Sequence, residues 1–200
     1  MPRLMWAEPI ELGVRDTGWL MSDGMGVQRT LGADDGPIEI VDYAPSWPSA
    51  FVAERDRLSG LLPGVHLHHI GSTAVPGLAG KPVIDMIALV DDLDGAANLL
   101  VERGGYQFDA RFNDGLLHRR YLCYPSISHR THHLHLVDAG EEMQRCLRFR
   151  DKLRGDRQLS AAYVALKRSL AERFGDDRAA YTMAKTRFIE DADTQREPEE

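Results

Sequence analysis

The stretch His69-Ile70-Gly71-Ser72-Thr73-Ala74-Val75-Pro76-Gly77-Leu78-Ala79-Gly80-Lys81-Pro82-Val83-Ile84-Asp85-Met86-Ile87 decides how this chain is read. A Gly-Ser turn ends one predicted strand, and a carboxylate follows inside a second, strongly apolar one. Set among Val83, Ile84, Met86 and Ile87, Asp85 is costly to bury unless a positive or hydrogen-bonding group meets it, and that cost marks a site. Alternate side chains of a strand share a face, so Val83, Asp85, Ile87 and Leu89 point one way and Ile84, Met86, Ala88 and Val90 the other. Glycine at 71 lets a phosphate approach the backbone closely, and the Ser72 hydroxyl adds a donor.

Outward from this stretch the pattern alternates between strand and helix. Ile38 to Val41 reads as a short strand. Pro45-Ser46-Trp47-Pro48 turns the chain into a helix whose Phe51, Leu58 and Leu62 share an apolar face. Strands are expected at Val65–Ile70, Pro82–Val90, Tyr106–Asp109, Leu117–Tyr124 and Thr131–Val137. A helix over Asp94–Arg103 is stopped by Gly104-Gly105. From Glu141 the period is helical, and Tyr163, Leu166, Leu170 and Phe174 form a core stripe. The expected architecture is α+β, a mixed sheet covered by three C-terminal helices. Residues 1–36, glycine-rich and without a sustained period, read as a loosely ordered extension, and the acidic segment 191–200 as a fraying tail.

Composition bounds the function. Two hundred residues, 43% hydrophobic and 28% charged, suit a single domain with a continuous core. A formal charge of −7 argues against general nucleic-acid binding, which needs surplus Lys and Arg. The run Arg145, Arg148, Arg150, Lys152, Arg154 and Arg157 leaves room for a local anion site. Cys123 and Cys146 read as free thiols, no apolar run reaches the length of a bilayer span, and the N-terminus lacks a signal-peptide pattern. The expectation is a cytoplasmic protein without membrane contact.

A second constellation is Thr131-His132-His133-Leu134-His135-Leu136-Val137. On a strand His133 and His135 share a face, with Cβ atoms roughly 6.5–7 Å apart, and His132 takes the other. The pair can line a half-exposed strand, contact a phosphate, or join Asp85 in holding a transition metal. His69, which adjoins the Gly-Ser turn, is the functional candidate of its own cluster.

Gly-Ser followed by an aspartate within an apolar strand resembles the entry pattern of the nucleotidyltransferase superfamily. Active members of that superfamily carry a second carboxylate two residues on, so that two carboxylates hold magnesium; here the position is Ile87. The span His69 to Asp85, with Tyr43-Ala-Pro-Ser-Trp-Pro-Ser-Ala-Phe51, His132-His-Leu-His135, Phe149-Arg-Asp-Lys-Leu-Arg154 and Tyr163 to Ala171, resembles the GrpB family from about Pro37 to Ile189. The resemblance implies a nucleotidyltransferase-like domain over 37–190, related to one fused behind dephospho-coenzyme A kinases. It carries over His69, Gly71, Ser72, Lys81, Asp85, His133, His135, Arg150, Asp151 and Lys185. Two expectations follow. In the first, a nucleotide or phosphorylated small molecule is held by His69, Gly71, Ser72, Lys81, Arg150 and Lys185, while Asp85, His133 and His135 act in catalysis or hold magnesium, manganese or zinc. In the second, the chain is a non-catalytic accessory module for a protein partner.

Overall fold

The computed structural model describes residues 37–175 and 177–194; the expected extension over 1–36 lies outside them. Helix α1 (Trp47–Ser59) starts with a proline in its first turn, where the missing N–H costs nothing. Strand β1 (Leu67–Ile70) leads through a single 3-10 turn, Ser72–Ala74, to β2 (Ile84–Leu89). Helix α2 (Leu93–Arg103) is capped by Asp92, whose carboxylate accepts from Gly95 N at 2.9 Å. Then come β3 (Gln107–Phe108), the short α3 (Ala110–Asn113), β4 (Arg119–Pro125) and β5 (Arg130–Val137). Three helices close the described chain: α4 (Gly140–Gly155), α5 (Arg157–Phe174) and α6 (Arg178–Thr194).

The sheet order is β1-β2-β5-β4-β3. It is mixed, because β2 and β5 run parallel while the other neighbours are antiparallel. Register sets the two faces. Ile84, Met86 and Ala88 join Leu134, Leu136, Leu122 and Leu67 in the main core, packed against Trp47 and Leu58 of α1 and Leu93, Ala97 and Leu100 of α2. Truncating one of these fully buried leucines costs about 2–5 kcal/mol. On the opposite face Ile70, Ile87 and Val137 pack under Cys146, Met143 and Leu147 of α4. Helices α5 and α6 stack beyond α4, and Tyr163 and Phe188 cover Val75 and Leu78 of the β1–β2 loop.

The architecture is the α+β one expected; the local differences include the short helix α3, which the pattern does not predict, and two others. Ile38 to Val41 makes one isolated bridge, Val41 to Gly80, instead of a strand, because it reaches a loop rather than the sheet. Helix α6 continues to Thr194, past the expected start of the acidic tail at Asp191, because Ala192 is buried and Asp193 pairs with Arg148.

Candidate anion-binding cleft

Asp85 lies directly opposite His133 in the parallel β2–β5 pair. The imidazole donates from Nδ1 to Asp85 Oδ1 at 2.8 Å, since an ionised carboxylate only accepts. Burial alone would raise the Asp85 pKa, but the hydrogen bond from His133 and the electrostatic pull of the His133, His135 and Lys81 side chains outweigh it and hold it at about 2. Protein crowds this side chain, yet a third of it (33%) stays accessible. The second oxygen, Oδ2, faces the Gly71 backbone, where an added Cβ would stand 2.5 Å away. Gly71 has φ 69° and ψ −169°, a conformation that essentially only glycine adopts, so Gly71 permits the turn to close on the carboxylate.

Three lysines from three segments lie near enough to feel the charge of Asp85, without pairing with it directly. Lys167 of α5 is 2% exposed. Its ammonium donates to Ser72 Oγ at 2.8 Å and to the carbonyl of Ala79, and sits 4.7 Å from the Tyr163 ring centroid. Gly80 allows this approach, because a Cβ there would lie 2.6 Å from Ser72 Cβ. Lys81 and Lys185 lie over one ring, that of Tyr181, at 5.1 and 4.7 Å from its centroid. Burial, then the Lys185 and Arg178 charges, push Lys81 down to about 7, against partial opposition from Asp85. Burial and the Lys185 charge bring Lys167 to about 7 as well, and burial lowers Lys185.

The expected residues divide. Gly71, Ser72, Lys81, Asp85, His133 and Lys185 meet in this cleft. His135 shares the face, but its Nδ1 accepts from Arg119 Nε at 3.2 Å and from Arg119 Nη2. Arg119 in turn bonds Glu142 at 2.7 Å. A guanidinium only donates, so the one acceptor nitrogen of neutral His135 is occupied and Nε2 carries the proton. The three-ligand set Asp85, His133 and His135 is therefore not assembled for a cation, and no group of three or more His, Cys, Asp and Glu among the described residues is placed to hold one.

His69 and Arg150 lie elsewhere. His69 pairs with Met86 and so points to the α1 face, stacked on Phe51 at 4.8 Å. Its Nε2 bonds Thr73 Oγ1 at 3.0 Å, and Thr73 donates to the Val83 carbonyl. Burial holds its pKa at about 4, so it is a neutral pin for the β1–β2 loop. Arg150 pairs with Asp151 and donates to the His69 carbonyl at 3.0 Å, which ties α4 to β1. Three more of the basic run are spent in the same way: Arg148 on Asp193, Lys152 on the Ala192 carbonyl and Arg154 on the Ala74 carbonyl. Lys167 was not among the residues the sequence singled out. Its signal was a charge inside an apolar stripe, four residues after Tyr163 and three before Leu170, where a solvated lysine has no reason to be.

The fold is an α+β domain in which the β1–β2 loop, α5 and α6 bring three lysines to the neighbourhood of Asp85. The GrpB protein family matches residues 37–195, and the chain belongs to it. It is 38% identical over 168 residues to the UPF0157 protein PA4798 of Pseudomonas aeruginosa, covering 81% of this chain and 69% of that one. The crystal structure of the conserved protein GrpB from Enterococcus faecalis is 34% identical and superposes with a TM-score of 0.68 over 78% of this chain and 96% of that one. A dephospho-CoA kinase of Mycolicibacterium paratuberculosis is 29% identical over 184 residues, 78% of this chain and 45% of that protein. No described helix is long and apolar enough to cross a membrane.

Proposed function

We propose that the chain binds a nucleotide or other phosphorylated small molecule in the cleft formed by the Gly71-Ser72 turn, Asp85 and the lysines of α5 and α6. The observation that carries this reading is the gathering of Lys81, Lys167 and Lys185 near one carboxylate. The ammonium groups, that of Lys167 buried and those of Lys81 and Lys185 half-buried, outnumber the anion beside them, an arrangement that is costly until a second anion arrives. Ser72 Oγ accepts from Lys167, so its own hydrogen is available to a phosphate oxygen. In group transfer the same lysines offset charge developing on phosphoryl oxygens. A carboxylate held at about 2 is a weak proton acceptor, so the role of Asp85 is to orient His133 and balance charge rather than to act as the general base.

The second reading, a non-catalytic accessory module, draws on Ile87. The position of the missing carboxylate is fully buried against α4, and a related segment occupies less than half of a dephospho-CoA kinase. Calorimetric titration with nucleoside triphosphates, phosphorylated metabolites and their unphosphorylated counterparts tests the binding reading. Phosphorylated ligands are expected to bind and the unphosphorylated ones are not; millimolar phosphorylated ligands without any heat or thermal shift would refute it. Formation of a labelled nucleotidyl product separates transferase from module.

A further inference from the structure

We propose that this cleft carries its own cations: the ammonium groups of Lys81, Lys167 and Lys185 take the part that divalent metals take in carboxylate-rich phosphoryl-transfer sites, and phosphorylated ligands bind without metal. The inference rests on the phosphorylated-ligand reading above and adds how the ligand's charge is met. Three features of the donor set carry it. The strand position two residues after Asp85 is Ile87, 0% exposed and packed against Ile70, Val137 and Cys146, so it offers no oxygen and no access. The lone pair of His135 is committed to Arg119. What remains is the Asp85 carboxylate and the unpartnered Nε2 of His133, a single oxygen donor group beside lysine ammonium groups that repel a cation, whereas magnesium and calcium sites gather several oxygens.

The lysines have the opposite complement. Their contacts are a hydroxyl, a carbonyl and the faces of Tyr163 and Tyr181; among the described residues none of the three pairs with a carboxylate at ion-pair distance. Aromatic faces and neutral oxygens hold an ammonium in place while leaving its charge uncompensated. The two glycines bring these groups together: Gly71 lets the turn close on Asp85, and Gly80 lets Ser72 and Lys167 pack against the loop backbone. A phosphate seated there meets the Ser72 hydroxyl and the ammonium groups together. Since burial brings Lys81 and Lys167 down to about 7, an arriving anion draws protons onto them, and binding near neutral pH takes up protons.

The test titrates the full chain calorimetrically with inorganic phosphate and with ATP, in EDTA and in magnesium, manganese or zinc, and in buffers of differing ionisation enthalpy. Affinity in EDTA is expected within about threefold of that with metal, with net proton uptake. Lys81→Gln and Lys185→Gln, which leave the Lys167–Ser72 contact intact, are each expected to weaken binding by about tenfold, equivalent to about 1.4 kcal/mol. Asp85→Asn, which removes the one anion, is expected to tighten it. Binding that EDTA abolishes and a divalent metal restores, or that Asp85→Asn weakens, overturns the inference and leaves the ligand reading standing. No binding by the wild type under any condition overturns that reading too.

Discussion

Gly71→Ala isolates the contact between the turn and the carboxylate. Its first cost is conformational: φ 69° with ψ −169° is a region that charges an L-residue about 1–3 kcal/mol. Its second is steric, since the new Cβ would stand 2.5 Å from Asp85 Oδ2 and 3.1 Å from Asp85 Cβ. Asp85 cannot swing away freely, because Oδ1 is held by His133 at 2.8 Å, and a hydrogen bond to a charged group contributes about 1.5–3 kcal/mol. The two together predict a loss of about 3–5 kcal/mol, or a fall of roughly 10–15 °C in Tm for a chain of this size. Urea denaturation of wild type, Gly71→Ala, Asp85→Ala and the double variant separates the terms. In the Asp85→Ala background Oδ2 is gone and only the milder 3.1 Å contact with Cβ remains, so Gly71→Ala is expected to cost mainly the backbone share of about 1–3 kcal/mol. A Gly71→Ala protein within about 0.5 kcal/mol of wild type, or a double variant whose losses simply add, would refute the reasoning.

Three further outcomes follow from the buried charges. Lys81 and Lys167 titrate near 7 in the native state against about 10.4 unfolded. Between those values the native chain holds fewer protons, so stability rises with pH from about 7 and levels off near 10; urea midpoints measured across that window should show the rise, and Lys167→Met should roughly halve it, Lys81 supplying the rest. Glu54 of α1 is buried between Tyr106 OH at 2.7 Å and Arg57 at 2.6 Å. Glu54→Ala strands both partners and is expected to cost about 2–4 kcal/mol, below the usual range for buried pairs because Arg57 remains 37% exposed; a midpoint unchanged from wild type contradicts this. Arg119→Ala removes the partner of Glu142, both side chains being nearly buried, and is expected to cost about 3–5 kcal/mol in the same assay.

Much of the fold was legible because it follows local periodicity. The alternation through Ile84–Leu89 and Arg130–Val137 set which side chains share a face, and the faces came out as that alternation requires: Asp85, His133 and His135 on one, His132 and Met86 on the other. The same alternation also placed His69 with Leu67, and register with Met86 then carried it to the α1 face, so its sequence proximity to the Gly-Ser turn was no guide to the cleft. Glycines 71 and 80 could be suspected from composition, but their necessity is a matter of what stands opposite them. Ile87 in place of a carboxylate was visible in the sequence and its burial under α4 was not.

By itself the sequence determined the α+β architecture and the segment carrying the Gly-Ser turn and Asp85. Only the tertiary structure decided which cations meet Asp85. Lys81, Lys167 and Lys185 come from a loop and two helices far apart in the chain, and Arg150, which looked equally eligible, is spent at the edge of β1. The physical reason is range: side-chain periodicity reports neighbours a few residues apart, whereas a charged site is assembled by packing between segments, and there a single guanidinium on His135 is enough to turn an expected metal ligand into a hydrogen-bond acceptor.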